Sequence, residues 1–373
     1  MNLCYIEKSF KHLNLLKMFV KSTVNIKAIK CIEDLKSEDL LIISNEYANC
    51  EQLVKDSPNI LIWEKIYRQF YNYSINRYMS NYDFYHLKYS LKKAIKPDIE
   101  SIVVGSSYAL FGVEESILNS PCVNLALASQ DIYYATLIGQ YVINKNKNIK
   151  KVFIGTGYYY FYSDLSLTQG SEIMRIADIY YPIFGDRHNC KDLPKSQNTI
   201  LNEDEIFNIE KIVDIFCNEL FEEVKGEYFT DARDRFKLRM VFRGTWDQKW
   251  FELDDILQEE SAYERVKSHN KAIMYLDSYK ENINILNSFV SFCNKRKVKV
   301  YMMAFPSTRF YKKYLLKDYK ESYMSALNSI DGDIQFIDFN DLDIFDDKDF
   351  VDMDHLDKSG AIKISEFINN LNL

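Results

Sequence analysis

The sequence predicts an α/β protein built on a doubly wound, mostly parallel sheet, with a small α/β lobe ahead of it and a largely helical insertion within it. Three observations carry this expectation. Short apolar runs recur at Ile102-Val103-Val104, Val123-Asn124-Leu125-Ala126-Leu127, Val152-Phe153-Ile154-Gly155, Val298 to Met303 and Gln335 to Asp338, each with the length and composition of a buried strand. Helical patterns fall between or after them, at Val113 to Leu118, Tyr133 to Ile143, Asn282 to Lys295 and Gly360 to Leu371. The rhythm breaks once, over 160–279, where an acidic amphipathic pattern from Glu203 to Val224 precedes a charged, aromatic-rich stretch with Trp246 and Trp250.

Ahead of the main domain, Leu40 to Ser44, Glu46 to Lys55 and Ile60 to Trp63 alternate as strand, helix and strand, which marks a lobe over 1–98. Tyr67 to Leu91 predicts a helix, stopped by Lys96-Pro97 because proline disfavours helical backbone in the residue before it. The main domain then occupies 99–373, with 160–279 as its insertion. No internal repeat and no Pro/Gly/Ser linker interrupts the 373 residues.

Composition narrows the function. An apolar fraction of 47% and a charged fraction of 27% are those of a folded globular protein. A net charge of -7 without a dense Lys/Arg stripe argues against nucleic acid or an anionic membrane as partner. Lys8, Lys11, His12 and Lys17 interrupt the apolar residues of Met1 to Val20, so neither an export signal nor membrane insertion is expected. The seven cysteines are scattered and lack a C-x-x-C pair, which predicts free thiols in a reducing cytoplasm and no zinc site. A nucleotide-binding α/β protein is disfavoured because the chain has no G-x-G-x-x-G and no P-loop.

Two short segments carry chemistry. Gly105-Ser106-Ser107 follows a buried strand directly, and in open α/β sheets ligands bind outside the carboxyl ends of strands, where a serine entering a helix can expose its hydroxyl near backbone N–H groups. Some 240 residues later comes Asp352-Met353-Asp354-His355-Leu356, followed by Ser359-Gly360-Ala361 at the mouth of the last helical pattern. A serine nucleophile needs a neutral imidazole to take its proton and a carboxylate to orient that imidazole. His355 supplies the first and Asp352, at D-x-x-H spacing, the second; Asp354 competes for the orienting role as the immediate neighbour of the histidine.

G-S-S after the first strand of a sheet, and D-x-x-H-L with a following G-A before the C-terminal helix, resemble the SGNH/GDSL hydrolase superfamily. The likeness is greatest to the branch that writes the first element as G-S-S, which includes polysaccharide O-acetyltransferases and D-alanyl-transfer proteins. It covers about 101–165 and 282–371. The resemblance implies a flavodoxin-like three-layer fold and a serine enzyme without metal or organic cofactor. It selects Ser107 over Ser106 as nucleophile, with Asp352 and His355 completing the catalytic set. The family's second block offers a glycine N–H to the oxyanion hole; here the stretch is Asn124 to Asp131, so the N–H groups of Ser129 and Ser107 are the expected donors, with Asn124 or Gln130 as side-chain substitutes. The third block supplies an asparagine from G-x-N-D, whereas this chain has Gly155-Thr156-Gly157-Tyr158-Tyr159.

What the resemblance implies is an O-acyl esterase or O-acyltransferase acting on an acylated small molecule, glycan or glycan precursor. Gln130, Tyr158 and Tyr159, with Tyr133 and Tyr134, are expected to line the substrate, since tyrosine rings can stack on sugar faces. Asp164 is expected as a polar anchor or a helix cap. The alternative is a catalytically silent carbohydrate-binding or assembly protein that kept the fold.

Overall fold

The computed structural model describes residues 2–8, 10–48, 59–195, 208 and 250–371. The chain is α/β, with two all-parallel sheets belonging to two compact units, Met1–Tyr85 with Asn198–Ala232, and His86–Gln197 with Arg233–Leu373. The division falls inside the helix Tyr82–Ala94, earlier than the boundary expected at 98. The expected helix from Glu203 to Val224, and Trp246, lie outside the described residues.

In the first unit β1 (Asn2–Ile6), β2 (Asn25–Ile29), β3 (Leu40–Ile43) and β4 (Ile60–Ile62) run parallel in the order β2-β1-β3-β4. Only β3 and β4 were legible in the sequence. β2 is an edge strand with mostly exposed side chains, so its Asn-Ile-Lys-Ala-Ile lacks the apolar run of a buried strand. Leu3, Leu16, Phe19, Ile42 and Trp63 form the core, with Trp63 stacked on Phe19 at a ring separation of 6.0 Å.

The second unit is built on β5 (Ser101–Gly105), β6 (Cys122–Asn124), β7 (Lys151–Thr156), β8 (Lys299–Ala304) and β9 (Ile334–Asp338), all parallel, in the order β6-β5-β7-β8-β9. Counted by appearance this is 2-1-3-4-5, a doubly wound order whose direction reverses between β5 and β7. Both faces of the sheet are covered. Val103, Phe153, Tyr301 and Met303 join one apolar cluster with Ala109 of the helix Ser107–Gly112 and Ile364 and Ile368 of the helix Lys358–Asn370. Side chains alternate along a strand, so Ile102, Val104, Val152, Ile154, Val300 and Met302, all almost fully buried, point to the other face. There the helices Ile132–Lys145 and Leu276–Asn294 pack on one another, with Phe289 against Gly139.

One local expectation is corrected. The helix after β5 was expected at Val113 to Leu118, but it spans Ser107–Gly112, and Val113 is already extended. The chain enters the helix straight from the turn, with Ser106 as the N-cap residue. The helices Arg309–Tyr314 and Asp318–Asn328 were not anticipated. Among the described residues no helix is long and apolar enough to cross a membrane, and five cysteines are free thiols.

The reversal point is tight. Gly105 pairs with Gly155 and has φ +122°, and a Cβ on Gly105 would lie 2.2 Å from the Gly155 carbonyl oxygen. Both the backbone angle and the neighbour demand glycine. Gly105→Ala should therefore cost at least about 2 kcal/mol of unfolding free energy. Urea titration of wild type and variant checks this, and equal midpoints would contradict the packing.

Candidate active site

Ser107 is the first residue of its helix at the carboxyl end of β5, beside the reversal point. The loop from β6 is laced to the same strand end. Leu125 N–H donates to Val103 O at 2.7 Å, Leu127 N–H to Gly105 O at 3.2 Å, and Gly105 N–H to Gln130 Oε1 at 2.8 Å. Ser129 in this loop has φ +53°, a left-handed conformation that few residues other than glycine adopt.

His355 arrives on a short hairpin. Phe350 and Leu356 pair as an antiparallel bridge, and Val351 N–H donates to His355 O at 2.9 Å. Asp352 shapes the turn, since its Oδ1 accepts the N–H groups of Asp354 at 2.9 Å and His355 at 2.8 Å. The hairpin is fixed at both sides. Thr308, beyond β8, donates its N–H and hydroxyl to Met353 O, and the fully buried Asp349 binds Lys363 and Ser359 of the last helix.

These two devices bring Ser107, His355 and Asp352 together. His355 Nε2 lies 2.8 Å from Ser107 Oγ, while Nδ1 lies 3.0 and 2.9 Å from the two oxygens of Asp352. A carboxylate only accepts, so Nδ1 carries the proton and Nε2 offers its lone pair to the serine hydroxyl. Asp354 Oδ1 is farther from Nδ1, at 3.4 Å. The imidazole is buried, Ser107 half-buried. Tyr108 stacks on the imidazole at 5.3 Å and Phe111 meets its edge, so the helix that carries the serine also packs the ring.

Asp354 faces a different set. Its Oδ2 accepts from Tyr108 Oη at 2.8 Å and from Arg265 Nε at 3.3 Å. Burial of this carboxyl works against its charge, but Arg265, His355 and His269 together with the tyrosine hydroxyl overcome that and hold it well below the usual carboxylate range. Arg265 is in turn raised, chiefly by Asp354. His269, one turn beyond Arg265 on the helix Asp255–Asn270, is mostly buried, with Nδ1 2.5 Å from Tyr311 Oη. Burial, then Arg265, push it down to about 3, so it is neutral. Tyr159 lies on it at a ring separation of 4.3 Å.

Asn124 and Gln130 are corrected. Asn124 donates its amide hydrogens to the carbonyls of Ala109 and Val113 and accepts from Ala126 N–H, so none remains for an oxyanion. Gln130, expected at the substrate, is buried, with its Nε2 on Leu125 O and its Oε1 on Gly105 N–H. Tyr158 is half-buried with its hydroxyl on both oxygens of Asp338, the last residue of β9, whereas Tyr159 sits with Tyr108 and His269. Asp164 caps the turn Leu165–Leu167. Sequence reasoning missed Tyr108, Arg265 and His269. The i, i+4 spacing of the last two puts them on one helix face, but nothing local says that this face meets Asp354.

No protein-family model matches the chain, and no curated protein matches it significantly.

The shifts fix how stability depends on pH. His269 is lowered from 6.5 to about 3, so between these values the unfolded chain binds a proton that the folded chain refuses. Stability should fall as pH drops below about 6.5, with this group contributing up to about 1.4 kcal/mol per pH unit. Asp354 is lowered too, so its contribution is complete above the ordinary carboxylate range and is lost only below about pH 4. Urea titrations at pH 7, 5.5 and 4.5 should show a shallower decline in His269→Gln than in wild type. Identical slopes would contradict the buried neutral imidazole.

Proposed function

We propose that this chain is an SGNH/GDSL-like serine acyl-transfer enzyme, an O-acyl esterase or O-acyltransferase acting on a glycan or glycan precursor in the cytoplasm. The observation that carries the reading is the 2.8 Å approach of Ser107 Oγ to His355 Nε2, with Asp352 on the opposite ring nitrogen. Strand order 2-1-3-4-5 with the serine at the reversal point agrees with it.

In the proposed reaction Ser107 Oγ attacks the acyl carbonyl carbon as His355 Nε2 takes the hydroxyl proton, and Asp352 stabilises the imidazolium. The carbonyl oxygen becomes an oxyanion received by the backbone N–H groups of Ser107 and Ser129. The first-turn N–H of a helix has no acceptor within that helix, which leaves the Ser107 N–H available. The left-handed backbone of Ser129 supplies the conformation a glycine would have there. His355 then returns its proton to the departing alcohol oxygen, leaving Ser107 acylated. Water or a sugar hydroxyl attacks the acyl-enzyme with His355 again as base, and Ser107 is regenerated.

One observation favours the rival reading, a catalytically silent carbohydrate-binding or assembly protein. The turn Gly155-Thr156-Gly157 offers no side-chain amide to an oxyanion, and Asn124 does not replace it. A fluorophosphonate probe separates the two, because labelling lost in Ser107→Ala requires an activated serine. With an activated ester as substrate, Ser107→Ala should lose roughly 10⁴-fold or more in turnover. Ser106→Ala should be nearly neutral, since the buried Ser106 Oγ has no hydrogen-bond partner to lose. Asp352→Asn should lose roughly 10² to 10⁴-fold through the wrong imidazole tautomer. No labelling of wild type, or equal loss from both serine variants, would overturn the assignment.

A further inference from the structure

A second polar cluster lies in the same unit, on residues the acyl-transfer reading does not use. Asp131 opens the helix Ile132–Lys145, with Oδ1 accepting Tyr134 N–H at 2.9 Å and Oδ2 accepting Leu165 N–H at 2.8 Å. Asp164 stands one residue before Leu165, its Oδ1 accepting the N–H and hydroxyl of Ser166. His188 completes the group, and one ligand atom from each of the three side chains lies within 4.8 Å of the others. Two carboxylates this close and this buried repel, and the low-dielectric surroundings magnify the cost unless a cation joins them.

His188 is built for a directional partner. Its side chain is only 8% exposed, yet neither ring nitrogen makes a hydrogen bond. Nδ1 points at Asp164 Oδ1 across 3.7 Å, too far for a hydrogen bond. Two ligands about 2.1 Å from one tetrahedral ion stand about 3.4 Å apart, which is close to the separation found. The ring cannot drift, because it stacks face to face on Tyr133 at 3.8 Å, and Tyr133 Oη and His188 N–H both donate to Asp186 Oδ1 at 2.8 Å. Nε2 faces Glu281 Oε1 at 3.5 Å, and Glu281 is steadied by Asn189 Nδ2 at 2.9 Å. A carboxylate behind the second nitrogen is the usual support of a metal-bound imidazole. Glu281 is 43% exposed, so the cluster borders solvent on that side.

We propose that Asp131, Asp164 and His188 form a binding site for a divalent transition-metal cation such as Zn²⁺, with His188 Nδ1 and one oxygen of each carboxylate as ligands. The ion neutralises the two carboxylates and ties the segment around 164–188 to the start of the helix Ile132–Lys145. Its ligand Asp131 lies two residues after Ser129, so the ion also stiffens the turn to which the acyl-transfer reading assigns an oxyanion donor. The site itself does not depend on that reading.

The test uses the full chain, freed of metal with a chelator and titrated calorimetrically with ZnCl₂, with MgCl₂ as control. Expected are one saturable Zn²⁺ per chain at micromolar affinity or tighter, no comparable Mg²⁺ binding, and a rise in melting midpoint of about 2 °C or more on saturation. Asp164→Asn keeps an oxygen for Ser166 and should weaken Zn²⁺ by tenfold or more, as should His188→Gln. Asp352, Asp354 and His355 form the other close cluster of such side chains among the described residues, so His355→Gln must leave the binding intact. Should His188→Gln fail to fold, Asp164→Asn decides, together with the visible absorption of Co²⁺ in the wild-type site. No saturable Zn²⁺ binding, undiminished binding in Asp164→Asn, loss in His355→Gln, or no Co²⁺ band would each overturn the site.

Discussion

The candidate active site rests on one contact, Ser107 Oγ to His355 Nε2, made between residues 248 apart in the chain. Neither partner is held by the other. The serine is placed by a glycine-dependent turn at the end of β5, and the histidine by a hairpin pinned to the residues beyond β8 and to the last helix. The parallel sheet brings the two within hydrogen-bond range because all its strands end on the same edge. A hydrogen bond between a neutral hydroxyl and an imidazole contributes only about 1 kcal/mol, far too little to order two such segments. The geometry is therefore imposed on the pair by packing that would exist without it.

Charge follows the same logic. Asp352 and Asp354 are two carboxylates beside one imidazole. Arg265, reaching in from the helix Asp255–Asn270, removes one of them from the account by pairing with Asp354. Asp352 remains as the single carboxylate aligned with Nδ1. Tyr108 links the two halves, stacking on His355 while its hydroxyl donates to Asp354. His269 belongs to this network as a poor proton acceptor, because burial and then Arg265 lower its proton affinity and Nδ1 is engaged with Tyr311.

How much of this was legible follows from the range of each interaction. β5, β7 and β8 are apolar at nearly every position and could be read directly, and Asp352 and His355 sit three residues apart in one turn. β2 could not be read, because an exposed edge strand needs no apolar run. The onset of the helix at Ser107 was obscured because Ala109 and Gly112 are chosen by contact with Gly155 and Phe305, not by helical periodicity. Arg265, His269 and the cluster of Asp131, Asp164 and His188 were hidden for a different reason. Their partners lie on separate segments, and cysteine counting, which argued against a zinc site, is silent on sites made of histidine and aspartate.

The turn after β7 leaves no room for a side chain at position 157 while Tyr108 keeps its place. Gly157 stands where the resemblance would place an asparagine, and a Cβ there would lie 2.8 Å from Tyr108 Cε2. The ring it would strike is the one stacked on His355 and bonded to Asp354. An asparagine at 157 and Tyr108 in its present place exclude one another. The space beside Gly157 is filled by an aromatic ring that packs His355 and bonds Asp354. In the proposed reaction the developing oxyanion then depends on backbone N–H groups alone, and so on the rigidity of two turns, at Ser107 and at Ser129. The first is locked by the Gly105–Gly155 approach, and the second is followed within two residues by Asp131, whose carboxylate is bonded to the helix it opens and to Leu165. Rigid backbone donors cost nothing to reorganise as charge develops, which is the one respect in which they surpass a mobile amide side chain.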